Sequence, residues 1–342
     1  MQISKKVASV VATVTFLSTL AKATYLGSTP QSFTKAGGSV VTNPDEVMVF
    51  AFELVRHGAR APFNDLVIDE FPVSEGNLTP QGMRERYLLG RHSRERYVDT
   101  YNLLSAQYNE DEIYVQSTNV NRTMQSGYSE LMGLYPPGTT TERLTEQMVE
   151  AVESGPASPP FKVRDADQIN HGLGLDALPN GYNAIQISVF NNDDIRDDVS
   201  YDGCPYINTV EGARLNSDEV FGDYTWMIDQ AREPIRELFN MTDEYIDTLN
   251  YHHFESLTDT AVALDFEGYP VHETYFSDEQ WEVTHEFQKV ILSLRDTKDA
   301  SDLEISRMLR KPLDIMQRKV SAILSGQEPP AVNYVLYSAH DD

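Results

Sequence analysis

The sequence predicts an α/β fold, and three stretches of the chain carry this prediction. Each stretch is a short apolar strand with polar or charged side chains directly after it, and helical patterns separate the three. The strands are expected at 47–52, from Glu112 onward and at 331–337. Ligands bind at the carboxyl ends of strands in open α/β sheets, so the residues after these strands are candidates for one shared site.

The first stretch is a buried strand that leads into an Arg-His-Gly-x-Arg-x-Pro motif, formed by Arg56, His57, Gly58, Arg60 and Pro62. Glycine lets the backbone turn sharply and approach a ligand, and proline ends regular structure. The guanidinium groups present planar donors that match phosphate or carboxylate oxygens. A lone histidine after a strand is most often structural, but this many specified neighbours favour an imidazole that attacks a bound phosphorus.

This motif resembles the signature of the histidine acid phosphatases, the acid phosphatase and phytase branch of the histidine phosphatase superfamily. The resemblance implies that His57 is the nucleophile and carries a phosphohistidine intermediate, with Arg56 and Arg60 holding the phosphoryl oxygens. It also implies a phosphoglycerate-mutase-like fold: a three-layer sandwich around a central mixed, mostly parallel sheet, with an inserted, mostly helical cap.

Composition limits the classes of partner. The 342 residues are 40% hydrophobic, enough for one large domain or a domain with an insertion. The net charge is −26, and the interval 150–290, with 7 basic and 29 acidic residues, carries −22 of it. Such a surface repels nucleic acid and anionic lipid. Cys204 is the only cysteine, so the sequence as given allows no intrachain disulfide.

The first 23 residues have the pattern of a secretory signal peptide. Lys5 and Lys6 precede an apolar stretch, and Ala21-Lys22-Ala23 fits a cleavage site. No later segment is apolar over a length that could span a bilayer. We therefore expect a mature domain over 24–342 in the secretory pathway, either secreted or lysosomal/vacuolar.

A helix is expected to begin after Thr79, which can cap it, and to run to about Val98. Its Leu-Thr-x-x-Gly start and its Leu89-Gly90 pair resemble the same family. The helix is rich in arginines that we expect to be solvated or ion-paired rather than catalytic, namely Arg84, Arg86, Arg91, Arg94 and Arg96.

The second stretch predicts a strand from Glu112, a loop rich in hydroxyl side chains, and a helix to about Tyr135. Its Ser-Thr-x-x-x-Arg-Thr pattern resembles the family segment that supplies a third phosphate-binding arginine. The resemblance assigns that role to Arg122.

The interval from about 136 to 290 is expected to be the cap, with helical patches such as Asp218 to Phe239. An aspartate-rich run over 192–203 partly fits a calcium loop, but the closing acidic position falls on Thr209, which disfavours calcium. His252 and His253 lack partners at metal-ligand spacing. No metal or cofactor is therefore predicted.

The third stretch is the strand at 331–337, which leads to His340-Asp341. A helical pattern over 302–324 precedes it and is expected to kink or split at Pro312. This dipeptide resembles the family's His-Asp motif, which implies that His340 contacts phosphate and Asp341 is the general acid. Asp342 stands where the family usually has threonine. Relatives continue beyond this point, so we expect the chain to be incomplete at its C-terminus.

The resulting prediction is an acid phosphatase that hydrolyses small phosphate monoesters. Phytase or inositol-polyphosphate phosphatase activity is the enzymatic alternative, disfavoured because the acidic cap offers few cations. A phosphoglycerate-mutase-type activity is disfavoured, because such proteins share Arg-His-Gly but neither the x-Arg-x-Pro extension nor a secretory signal. An inactive phosphate-binding relic stays open. Asn77 and Asn240 are glycosylation candidates, whereas a glycan on Asn121 would adjoin Arg122. The residues do not indicate an oligomeric state.

Overall fold

The structure of the chain is a computed structural model that describes residues 14–17, 47–155, 157–191, 194–200, 204–215, 222–295 and 298–340. Its strands form one sheet in the order β1-β2-β5-β3-β4, and every pair of neighbouring described strands is parallel. The strands are β1 (Val14–Leu17), β2 (Ala51–Arg56), β3 (Ile113–Ser117), β4 (Ser188–Val189) and β5 (Tyr334–Ala339).

Helices make up most of the remaining described chain. In the first part they are α1 (Pro80–Arg94), α2 (Asn121–Leu134), α3 (Glu146–Glu153) and α4 (Ala166–Leu173). A π-helical segment, Glu95–Thr100, continues α1. The later helices are α5 (Pro205–Leu215), α6 (Thr225–Leu238), α7 (Asp243–Ile246), α8 (Tyr251–Phe266), α9 (Val271–Tyr275), α10 (Asp278–Arg295) and α11 (Lys298–Ser325).

Side chains alternate between the two faces of the sheet, as the two-residue repeat of a strand requires. Val55 on β2 packs with Leu134 of α2 on one face. On the other face, Phe52 and Tyr337 pack with Ile315 of α11. Helices therefore cover both faces of a parallel sheet, and the predicted α/β sandwich is confirmed.

A separate apolar core lies in the interval predicted as the cap. Helices α6, α8 and α10 supply most of it, through residues such as Ile235, Phe254 and Phe287. Ala61 and Phe71, which follow the Arg-His-Gly motif, pack into this same core. The cap limits of about 136–290 stay a prediction, and within them the two residues of β4 return to the sheet beside β3.

The positions of two predicted strands were wrong. The first strand is Ala51–Arg56 rather than 47–52, so Glu53 lies inside a buried strand. Burial of this carboxylate is possible because the hydroxyls of Tyr97 and Tyr334 donate hydrogen bonds to it. The last strand is shifted in the same direction, to Tyr334–Ala339. Helix α11 continues through Pro312 without a split, and the kink expected there as the alternative stays a prediction.

Other boundaries agree with the prediction. The Thr79 hydroxyl accepts a hydrogen bond from the Gly82 amide and caps α1. Strand β3 begins one residue after the expected Glu112, and helix α2 ends one residue before the expected Tyr135. The helix predicted over 218–239 is α6, and its expected first residues through 221 lie outside the described residues.

The predicted signal peptide lies outside the described residues except for β1, which pairs with β2 at one edge of the sheet. Cleavage after Ala23 would remove β1 and leave β2 as the edge strand. Among the described residues, no helix combines the length and the apolar character needed to cross a bilayer.

Candidate active site

The three predicted stretches meet at one edge of the sheet. Strand β5 lies between β2 and β3, and all three run in the same direction, with Arg56 opposite Ala339 and Ser117 opposite Ser338. The amide of His57 continues the ladder to the Ala339 carbonyl, at 2.9 Å. Arg56, His57, Arg122 and His340 therefore approach one another from segments far apart in sequence.

His57 is buried, with 3% of its surface exposed. Its Nδ1 lies 2.8 Å from the Gly58 carbonyl, and because a carbonyl only accepts, Nδ1 carries the proton. Burial, followed by the charge of Arg56, lowers the pKa of His57 well below its usual range. The ring is thus neutral, and Nε2 keeps the lone pair that a nucleophile requires.

The turn after His57 packs directly on the start of α1. A Cβ on Gly58 would lie 2.4 Å from the Gly82 carbonyl oxygen, so no other residue fits there without a shift. The Gly58 amide donates to Ser126 Oγ at 3.0 Å, and the Ala59 amide donates to Glu85 Oε2 at 3.1 Å. These contacts fix the backbone that carries the imidazole.

The backbone of Arg56 is held by a buried arginine. Arg86 Nη1 donates to the Arg56 carbonyl at 3.0 Å, and Arg86 Nη2 forms an ion pair with Glu130 of α2. Arg86 was predicted to be solvated or ion-paired, and it is ion-paired. Its supporting role was not predicted, although its place on the same helical face as Gly82 and Gly90 indicated burial.

Arg60 is bound by a carboxylate from the interval predicted as the cap. Its Nη1 and Nη2 donate to the two carboxylate oxygens of Asp259 on α8, at 3.0 and 3.2 Å. The guanidinium also lies over the ring of Phe63, 4.4 Å from the ring centre. Sequence reasoning missed Asp259 because nothing distinguishes it from the many other carboxylates of an acidic interval.

Arg122 and His340 contact each other directly. Arg122 Nη2 donates to His340 Nδ1 at 3.1 Å, which places the His340 proton on Nε2. That Nε2 lies 3.0 Å from Thr118 Oγ1. The rings of His340 and His57 are 5.4 Å apart at 71°. The structure therefore places both histidines and Arg122 in one group.

Asp341, the predicted general acid, lies outside the described residues, so its role stays a prediction.

Of the two glycosylation candidates, Asn240 is exposed at a turn with φ of 49° and Asn77 is half-buried. In the aspartate-rich run, Asp198 is bound by Arg310 and Lys311, while 192–193 and 201–203 lie outside the described part. No group of His, Cys, Asp and Glu among the described residues is arranged to hold a metal.

Taken together, the geometry suits attack on an anion. A neutral imidazole with an available lone pair is buried beside arginines that cannot lose their charge. A tetrahedral oxyanion in this group would meet preplaced positive charge, which is the largest catalytic term in many phosphoryl transfers.

Comparisons with known proteins give a family and several relatives. The model of the family described as "Histidine phosphatase superfamily (branch 2)" matches residues 47–342. The human testicular acid phosphatase is 35% identical over 111 residues, which cover 29% of this chain and 25% of that protein. The human lysosomal acid phosphatase is 38% identical over 93 residues, which cover 26% and 21%. The chain thus spans about a quarter or less of these relatives' length.

Solved structures share the fold at low identity. A phytase from Klebsiella sp ASR1 aligns with a TM-score of 0.50 and 16% identity, over 86% of this chain and 70% of that one. The apo phytase of Hafnia alvei gives a TM-score of 0.50 and 14% identity, over 86% and 72%.

Proposed function

Because the chain belongs to branch 2 of the histidine phosphatase superfamily, whose model matches residues 47–342, we propose that it hydrolyses phosphate monoesters at acidic pH. The observation that carries the proposal is His57, which is buried and neutral and has its Nδ1 proton held by the Gly58 carbonyl. An imidazole kept unprotonated among arginines remains a nucleophile even in acid.

The first proposed step transfers the phosphoryl group to His57. Nε2 attacks phosphorus, the ester P–O bond breaks, and the leaving alkoxide takes a proton from the protonated carboxyl of Asp341. The product alcohol leaves, and a phosphohistidine stays on the protein.

The second step returns the site to its starting state. The Asp341 carboxylate takes a proton from water as the water oxygen attacks phosphorus, and the P–N bond breaks. Inorganic phosphate leaves, His57 regains its Nε2 lone pair, and Asp341 is protonated again. The step needs no cofactor or redox partner.

Charge stabilisation is assigned to Arg56, Arg60, Arg122 and His340. The guanidinium groups would bind phosphoryl oxygens with their planar donors, and their charge is independent of pH. His340 Nε2–H, which lies 3.0 Å from Thr118 Oγ1, would add a neutral donor by exchanging that hydroxyl for a phosphoryl oxygen. Preplaced donors of this kind stabilise a transferring phosphoryl group without reorganising during the reaction.

A small monoester suits the site better than a highly phosphorylated inositol. The interval 150–290 carries most of the net negative charge, and Asp259 adds a carboxylate beside Arg60 itself. Additional phosphates on a substrate would meet this negative charge. Phytase activity is therefore the weaker proposal.

We also propose that the protein travels the secretory route, to the exterior or to a lysosome-like compartment, and carries glycans at Asn77 and Asn240. The signal pattern over 1–23 and the two sequons support this proposal. The named lysosomal relatives are consistent with it.

An assay with p-nitrophenyl phosphate at acidic pH tests the proposed function. Turnover is expected from the purified chain and should be lost in His57→Ala, whereas His171→Ala, which removes an exposed histidine of α4, should keep it. A chain quenched in alkali during turnover should carry phosphate on His57 in a mass spectrum. Turnover that survives in His57→Ala would refute the nucleophile, and absence of turnover in the parent would favour a phosphate-binding relic.

A further inference from the structure

The pair formed by Arg60 and Asp259 joins the predicted phosphate site to the cap. Both terminal nitrogens of Arg60 donate to Asp259, in a bidentate arrangement at 3.0 and 3.2 Å. The two side chains are 13% and 29% exposed, so the pair is partly shielded from solvent. Bidentate pairs of this kind are among the stronger hydrogen bonds, and they restrict orientation.

The position of Asp259 relative to the sheet is fixed by packing around α8. Phe254 and Ala261 of this helix share an apolar core with Ala61, the residue directly after Arg60. At the end of α8, the Phe266 carbonyl accepts a hydrogen bond from Gln81 Nε2 of α1, at 2.7 Å. The apolar core and the Gln81 hydrogen bond therefore hold α8 in the position that places the Asp259 carboxylate beside Arg60.

The contacts of Arg60 leave one edge of its guanidinium for a ligand. Nη1 uses one hydrogen on Asp259 and lies 3.4 Å from the Ala61 carbonyl, and Nη2 uses one hydrogen on Asp259. The ring of Phe63 lies against one face. Within the described contacts, the Nε hydrogen and the second Nη2 hydrogen remain. These two share an edge, and such an edge matches two oxygens of a phosphoryl group.

We propose that Asp259 is a positioning residue that holds Arg60 with its Nε/Nη2 edge toward the bound phosphoryl group. The cap is then part of the phosphate site, since it sets the orientation of one of the arginines that bind the anion. This inference rests on the proposed function. It assigns to Asp259 an effect on anion affinity and KM, with a smaller effect on kcat, because Asp259 touches neither the nucleophile nor the leaving group.

The experiment measures the affinity of the full chain for inorganic phosphate by calorimetry, together with kcat and KM for p-nitrophenyl phosphate. Asp259→Ala is expected to weaken phosphate binding and raise KM about 10- to 100-fold, the loss expected for hydrogen bonds to a charged group. Asp259→Asn keeps one oxygen acceptor, so its phosphate affinity and KM should lie between those of wild type and Asp259→Ala. In an Arg60→Ala background, Asp259→Ala should add less than about a twofold change, because the residue acts through Arg60.

Asp247→Ala is the matched control, since it removes a cap carboxylate that pairs with Arg232. It should leave phosphate affinity unchanged. Melting temperatures identify variants that fail to fold. If Asp259→Ala fails to fold, the phosphate affinity and KM of Asp259→Asn test the inference instead. An unchanged or tighter affinity in the Asp259 variants, or an equal loss with and without Arg60, would overturn the inference. A chain whose phosphate affinity depends on Asp259 but which does not turn over substrate would refute the proposed function alone.

Discussion

Arg122 and His340, 218 residues apart in the chain, are joined by a hydrogen bond of 3.1 Å from Nη2 to Nδ1. Arginine can only donate, so the His340 proton must lie on Nε2, which can then donate to Thr118 Oγ1 at 3.0 Å. The Thr118 hydroxyl can continue the chain to Thr123 Oγ1, at 2.7 Å. The second histidine is thus held in one tautomer and one orientation by two segments that adjoin β3.

Removal of Arg122 should weaken anion binding. Arg122→Ala deletes a charged donor at the site and releases His340 from its fixed orientation, so the dissociation constant for inorganic phosphate is expected to rise about 10-fold or more. Calorimetry provides the measurement. Arg143→Ala, which removes an exposed arginine paired with Asp176, is the control and should leave binding unchanged. Equal affinity in wild type and Arg122→Ala would exclude Arg122 from the site.

A glycine contact between α1 and α2 should be essential for stability. A Cβ on Gly90 would lie 1.9 Å from the Glu130 carbonyl oxygen, so Gly90→Ala forces the helices apart and is expected to cost about 1–3 kcal/mol of the free energy of unfolding. Gly172→Ala in α4 meets no atom within 4 Å and should stabilise by about 0.5–1 kcal/mol. Urea unfolding of both variants measures the two effects separately: the clash between helices at Gly90 and the gain in helix propensity at Gly172. A Gly90→Ala variant as stable as wild type would contradict the close packing.

The edge of the sheet where the three stretches meet was predictable, because the sequence patterns that indicate it are local. Apolar runs indicate strands, parallel strands place their carboxyl ends together, and the motifs at 56–62 and at Arg122 follow those ends. The first strand was placed four residues too early because Glu53 interrupts the apolar run. Its burial depends on tyrosine hydroxyls from 44 and 281 residues away, which no local pattern shows.

The supporting residues were not predictable for the same reason. Arg86 stands among five arginines in one helical segment, and its spacing of four from Gly82 and Gly90 indicates a buried face. Its hydrogen bond to the Arg56 carbonyl, however, depends on how the helix packs in the fold. Asp259 is one of many acids in the cap, and its pairing with Arg60 spans 199 residues. Such pairings depend on how α8 packs against the segment after β2, whereas sequence periodicity reports only which face of an element is buried.

The buried ion pair between Arg86 and Glu130 should be costly to break. Both side chains are almost fully buried, so Glu130→Ala leaves a desolvated guanidinium without its carboxylate and is expected to lower the free energy of unfolding by about 3–5 kcal/mol. Denaturant unfolding provides the measurement. Glu282→Ala, an exposed change on α10, should stay within about 0.5 kcal/mol of wild type. A loss in Glu130→Ala no larger than in this control would show that the pair contributes little to stability.

The buried imidazole of His57 should make the folded chain less stable in acid than a variant without it. Burial and the charge of Arg56 lower the pKa of His57 in the folded state, whereas the unfolded imidazole titrates near about 6.5. Below that pH the unfolded chain binds a proton that the folded chain does not, so stability falls by about 1.4 kcal/mol per pH unit.

His57→Gln removes this titration. Between pH 7 and 4.5, wild type should therefore lose about 2.5 kcal/mol more of its free energy of unfolding than His57→Gln loses. Urea unfolding at a series of pH values measures the difference, with His171→Gln as the exposed control. Parallel curves for wild type and His57→Gln would mean that the folded chain does protonate His57 in acid, and the imidazole would then lack the lone pair on which nucleophilic attack depends.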